Sequence, residues 1–232
     1  MDCWNDKGSF PEEEANAYRN SIWSNAAALG DRCHVCAFFH DREEEYRVLL
    51  PFVQAGLQRG EKIVRTIDPE RRGEHLKQMA ASGIDVEDLL QKGRFELRTW
   101  SDTHLRDGYF DGERTLKLFE AVVKNARRQG FPLIRFVTEM EWALKNEDQM
   151  IDLLEYEAKA NEVWEHQEGP VNPVICTYDL TKFKGDVVVD VMRTHPMIII
   201  GGILQENPFY IPPNKFLKEL RERREGQTRR AP

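Results

Sequence analysis

Three of the stretches that carry thiol or imidazole side chains could do chemistry together: Cys33-His34-Val35-Cys36, Cys176 within VICTYD, and His195 within Thr194-His195-Pro196. A C-x-x-C run has two chemical readings, a redox dithiol or half of a zinc site. A thioredoxin-type dithiol follows a strand and opens a helix. This run instead stands at the start of an apolar strand, Val35–Phe39. A closed zinc site takes four ligands, and no second closely spaced pair is nearby. If a metal binds, its ligands come from His34, Cys36, Cys176 and His195, brought together by converging strand ends. The structural alternative makes Cys36 and Cys176 small buried residues on adjacent strands and the histidines satisfied by local hydrogen bonds.

A second set of residues is acidic. Glu139 and Glu141 follow the apolar run Leu133–Thr138, with Trp142 directly after them. Ligands of open α/β sheets bind beside the carboxyl ends of strands. Glu139 and Trp142 are therefore expected to line a site, joined by Asp41 and Arg42 from the loop after the first strand. Tyr178 is one of several aromatics that either wall an apolar pocket or fill the core. Acids at a helix start also complement its dipole, which is the alternative for Glu139, Glu141 and Asp41.

The elements that would position these groups alternate. Strand Val35–Phe39, helix Glu43–Arg59, a Gly60-Glu61 turn and strand Lys62–Ile67 form a βαβ unit ending in Asp68-Pro69. A nucleotide-binding loop in its first turn would read GxxxxGK[ST]. Here the slot holds His40-Asp41-Arg42-Glu43-Glu44-Glu45, with four carboxylates, one arginine and no glycine. Such a loop repels phosphate. Helices follow at Pro69–Ser82, Asp85–Gln91, Glu113–Gln129 and Asp148–Trp164. Strands follow at Arg94–Trp100, Leu133–Thr138 and Val174–Asp179. A short helix at Val187–Arg193, a strand at Met197–Gly201, the extended Asn207–Pro213 and a last helix at Lys215–Arg224 complete the pattern. This alternation predicts an α/β fold, a three-layer αβα sandwich on a mainly parallel sheet.

A net charge of −7 argues against a nucleic-acid surface over the whole chain. No apolar run reaches the ~18 residues of a membrane span, and the acidic N-terminus lacks the pattern of a signal peptide. A cytoplasmic protein with reduced thiols is expected.

The sequence resembles the MEDS domain, the sensory domain of methanogens, methylotrophs and the dichloromethane-responsive regulator. The resemblance rests on His34-Val35-Cys36 with Phe38-Phe39, Pro51-Phe52, Gly56-Leu57, Gly60-Glu61, DGYFD at Asp107–Asp111 and Glu139-Met140-Glu141-Trp142. It continues through Glu155-Tyr156-Glu157, Asn161, Cys176-Thr177-Tyr178-Asp179, Thr194-His195-Pro196 and Asn207–Pro213. The helix-turn-strand FVQAGLQRGEKIVRTIDPE is also similar to that of RecA- and KaiC-type ATPases, so the implied fold is RecA/KaiC-like without a Walker A loop.

The resemblance implies a sensory domain at 31–213, between an N-terminal helical leader (1–30) and a C-terminal helix with a basic tail (214–232). It implies a small organic, hydrocarbon-derived ligand and no catalytic residues. With no room for a DNA-binding or kinase module, output is expected through a partner regulator or histidine kinase, with no direct nucleic-acid contact, and a homodimer is compatible. No cofactor and no ATPase activity are expected. Expected ligand-binding residues are His34, Cys36, Asp41, Arg42, Glu139, Trp142, Cys176, Tyr178 and His195. Two rivals stay open: a metal-dependent enzyme using Glu139 and Glu141 with Cys and His ligands, and a ligand-free protein-interaction module.

Overall fold

The computed structural model describes residues 33–145, 149–165 and 169–228. The expected leader and the end of the basic tail lie outside them. Seven strands form one sheet: β1 (His34–Phe39), β2 (Lys62–Ile67), β3 (Phe95–Thr99), β4 (Ile134–Glu139), β5 (Val174–Asp179), β6 (Met197–Ile200) and β7 (Ile203–Glu206). Their order is β3-β2-β4-β5-β1-β6-β7. All neighbours are parallel except β6 and β7.

Helices cover both faces. On one lie α1 (Arg42–Gln58), α2 (Arg72–Ala81) and α3 (Val86–Gln91). They pack Val48, Leu49, Phe52, Val53, Met79 and Leu89 against Val35, Ala37, Ile63 and Phe95. On the other lie α4 (Gly112–Arg128), α5 (Gln149–Glu165), α6 (Gly185–Thr194) and α7 (Pro213–Thr228). Their apolar stripes meet Cys36, Phe38, Phe136 and Cys176. The period-two alternation of each strand sends His34, Cys36 and Phe38 to the second face and Val35, Ala37 and Phe39 to the first. The αβα sandwich expected from the alternation is the fold that forms.

The local departures have local causes. Pro69–Ser82 is not one helix: Asp68 caps a 3-10 turn at Pro69–Arg71 before α2 begins. Trp100 belongs to the 3-10 turn after β3, where Asp102 accepts from the Thr99 N–H at 2.8 Å. β4 runs one residue further than expected, so Glu139 is its last residue, paired with Thr177. The strand β7 is an addition. Gly201 and Gly202, at φ 58° and 76°, turn the chain back on β6 as an antiparallel hairpin, the backbone that a two-residue primed turn requires. The last helix begins at Pro213, before the expected Lys215, and buries Phe216 and Leu220 against the second face.

Candidate functional site

The carboxyl ends of β1, β2, β4 and β5 open at one edge of the sheet, and the segments after them bring charge together there. Three arginines and three glutamates interlock. Glu45, buried on α1, receives both Arg65 from β2 and Arg42 from the start of α1. Arg42 also bonds Glu141 and lies 3.8 Å from Glu139. Arg71 bonds Glu139 at 2.6 Å, and the Asp68 N–H donates to the same carboxylate at 3.1 Å. Only Arg42 (21% exposed) and Arg71 (16%) reach solvent; the other four side chains are buried.

Burial of so many charges is tolerable only because the set is balanced and bonded. Even so, Arg65 Nε, Arg71 Nη2 and Glu141 Oε2 are buried without a hydrogen-bond partner. Burial pushes the Glu141 carboxyl up to about 7 against the pull of Arg42, with Glu139 and Glu45 adding repulsion. Burial would also raise Glu45, but Arg65 and Arg42 bring it below the ordinary carboxylate range. Beside the cluster, Tyr46 bonds His75 Nδ1 at 2.7 Å. Burial and the facing Arg65 and Arg71 hold that imidazole down to about 2, hence neutral.

The loop His40–Glu45 satisfies itself. Asp41 caps α1, accepting from the Glu44 N–H at 2.8 Å, and Glu44 accepts from the His40 N–H at 2.8 Å. Glu45 is the member that turns inward. The slot that would cradle phosphate is thus a helix start capped by its own Asp41 and Glu44 carboxylates, without the glycine-rich backbone that a phosphate loop uses.

The nine expected site residues fall into separate places. Arg42 and Glu139 meet at the charged edge, with Asp41 on its rim. Trp142 is completely buried beneath it, its ring 4.9 Å from His104 and 4.1 Å from Phe110. His34, Cys36, Cys176, Tyr178 and His195 lie under α5 on the second face, all buried. There the register sets Cys36 opposite Cys176. The Cys36 thiol, however, turns to the Met197 carbonyl at 3.7 Å. The fourth member of the His–Cys group is instead Glu157, so His34, Glu157, Cys176 and His195 hold their donor atoms within 4.8 Å of one another.

Arg65, Arg71, Glu45 and Glu157 escaped the sequence reading as site residues. Their signal was a charge where an apolar residue was due: Arg65 in the middle of KIVRTI, and Glu157 on the stripe shared by Leu153, Leu154, Ala160 and Asn161 of α5.

The family described as MEthanogen/methylotroph, DcmR Sensory domain (MEDS) matches residues 33–196. The transcriptional repressor DcmR of Methylorubrum extorquens is 21% identical over 185 residues, which cover 80% of this chain and 65% of the repressor. The chain thus spans about two thirds of that relative's length. Among solved structures, the flagellar accessory protein FlaH of Methanocaldococcus jannaschii is similar at 13% identity and a TM-score of 0.44, covering 75% of each chain. Among the described residues no helix is long and apolar enough to cross a membrane. With its family match running from the start of β1 through the turn that carries His195, the chain belongs to the MEDS family of sensory domains.

Proposed function

We propose that this domain senses a small organic molecule at the carboxyl edge of its sheet and passes the bound state to a partner regulator or histidine kinase, without catalysing a reaction. The carrying observation is the unused hydrogen-bonding capacity of the buried edge. Arg65 Nε and Arg71 Nη2 offer donors and Glu141 Oε2 an acceptor or, when protonated, a donor. A buried polar atom without a partner costs about 1–3 kcal/mol, and a ligand with a hydroxyl, carbonyl or carboxyl head relieves that cost on binding. Arg42 and Arg71, the two members in contact with solvent, are the side chains that would move to admit it. Because Arg42 also ties α1 to Glu141, its displacement shifts the helix start and gives the ligand the differential affinity for two states that signalling needs.

The test is calorimetric titration with short alcohols, aldehydes, carboxylates and haloalkanes, using wild type and Arg42→Ala. One class should bind wild type and weaken at least tenfold in the variant, about 1.4 kcal/mol. ATP with magnesium should give no heat. No binding by any class, or micromolar ATP binding, would overturn this reading.

A further inference from the structure

We infer that His34, Glu157, Cys176 and His195 form a closed, four-ligand site for a divalent transition ion of the zinc class, separate from the charged edge. The four side chains come from β1, α5, β5 and the turn between α6 and β6, and each is at most 3% exposed.

The spacing is close to that of an ion site, with all four donor atoms within 4.8 Å of one another and a small contraction left for the ion to make. Bond lengths of about 2.0–2.3 Å place tetrahedral ligand atoms about 3.3–3.7 Å apart. His34 Nε2 lies 3.1 Å from Glu157 Oε2, and His195 Nε2 lies 3.5 Å from it. Cys176 Sγ is 3.4 Å from His34 Nε2 and 3.7 Å from Glu157 Oε2.

The surrounding hydrogen bonds aim the lone pairs inward. Asn161 directs its amide N–H groups to the carbonyls of Glu157, Ala158 and Thr194, which leaves its oxygen facing His34 Nδ1 at 3.2 Å. The Thr194 hydroxyl donates to the Val191 carbonyl, and His195 Nδ1 lies 2.9 Å from both of those oxygens. Both Nδ1 atoms therefore carry the proton, as in the outer shells of metal-bound histidines. In neutral rings both Nε2 lone pairs then face the same carboxylate oxygen. His195 Nε2, fully buried, has no hydrogen-bond partner. The two rings are 4.1 Å apart, too close for both to carry charge in the core.

A divalent cation resolves every one of these conflicts. It accepts both imidazole lone pairs and, with the Glu157 carboxylate and a Cys176 thiolate, makes the buried set neutral. Binding would release the Cys176 thiol proton to solvent. Tyr178 already donates to the other Glu157 oxygen and orients the carboxylate. Four protein ligands and no solvent access describe a structural site, not a catalytic one.

The test is elemental analysis of protein purified without chelator, followed by unfolding, metal removal and refolding of wild type with zinc, with cobalt(II) or with neither. About one equivalent of metal is expected, together with a thiolate-to-cobalt charge-transfer band and a higher melting temperature than the metal-free sample. Cys176→Ser should lose the band, whereas Cys36→Ser should keep it, since that thiol points elsewhere. If Cys176→Ser does not fold, the refolding comparison on wild type still decides. Absence of metal after purification, with no band and no melting shift on refolding, would leave a plain hydrogen-bonded histidine–carboxylate cluster and overturn the proposal. Retention of the band in a folded Cys176→Ser would overturn it equally.

Discussion

Arg71 reaches back from the turn after β2 to hold Glu139, the last residue of β4, with Nη1 2.6 Å from Oε1. This contact ties two strand ends at the charged edge. Glu139 is buried, whereas Arg71 keeps some solvent and a second carboxylate, Glu74, at 3.5 Å. Removing the arginine should therefore be the costlier change. Arg71→Ala is expected to lower stability by about 3 kcal/mol, the lower end for breaking a buried pair, because Glu139 retains the Asp68 N–H. Glu139→Gln, which keeps an acceptor oxygen for both donors, should cost about 1.5 kcal/mol, the lower end for a hydrogen bond to a charged group. Urea midpoints at constant m-value measure both, and equal losses would contradict the asymmetry.

The Glu141 carboxyl sets a pH dependence. Burial raises it from 4.5 to about 7 in the folded domain. A group with a raised folded value contributes stability that is complete below its unfolded value and is lost as pH climbs through the folded one. The wild type should thus lose stability relative to Glu141→Gln between about pH 4.5 and 7, by up to about 3 kcal/mol. Denaturant titrations of both proteins across that window check the sign. A difference that grows in favour of the wild type as pH rises would refute it.

An interior glycine gives a prediction against helix propensity. Gly56 lies within α1, where alanine ordinarily gains about 1 kcal/mol over glycine. A Cβ there would stand 2.7 Å from Arg135 Cδ and 2.9 Å from Ile63 Cδ1. Arg135 cannot yield cheaply, since it is bonded to Glu61 and to the Phe52 carbonyl and lies against the Phe52 ring. Gly56→Ala should therefore destabilise by about 1–3 kcal/mol, as overpacked cores do. Thermal unfolding would show it as a lower melting temperature with unchanged secondary structure.

Periodicity made the sheet legible. Runs such as VICTYD and KIVRTI are apolar enough to be central parallel strands, and alternating residues set their faces. The hairpin to β7 was missed: Gly201-Gly202 carries the turn signal, but the short ILQE segment after it is mostly exposed and gives little apolar signal. The site was legible by residue type and not by partnership. His34, Cys176 and His195 announce themselves, whereas Glu157 looks like one more acid in a charged helix. Its pairing with residues far along the chain follows from strand order, which local pattern does not encode. Arg65 and Glu45 share that difficulty: each is anomalous alone and sensible only once α1 is laid across β2.

The last helix, α7, is expected to behave as part of the domain core. Phe216 and Leu220 are 1% and 3% exposed, packed with the cluster beneath α5 and α6. Ion pairs add a rim: Arg193 bonds Glu219 at 2.5 Å, and Arg223 bonds Asp190 at the same distance. Those pairs are partly exposed and worth at most about 1 kcal/mol each, so the buried side chains dominate. Phe216→Ala should cost about 3–5 kcal/mol, as for large-to-small changes in a packed core, and Glu219→Gln under about 1 kcal/mol. Hydrogen exchange offers the sharper measurement. If α7 belongs to the core, amides of α5 should lose protection in Phe216→Ala along with those of α7. Loss confined to α7 would show a helix that docks without supporting the fold.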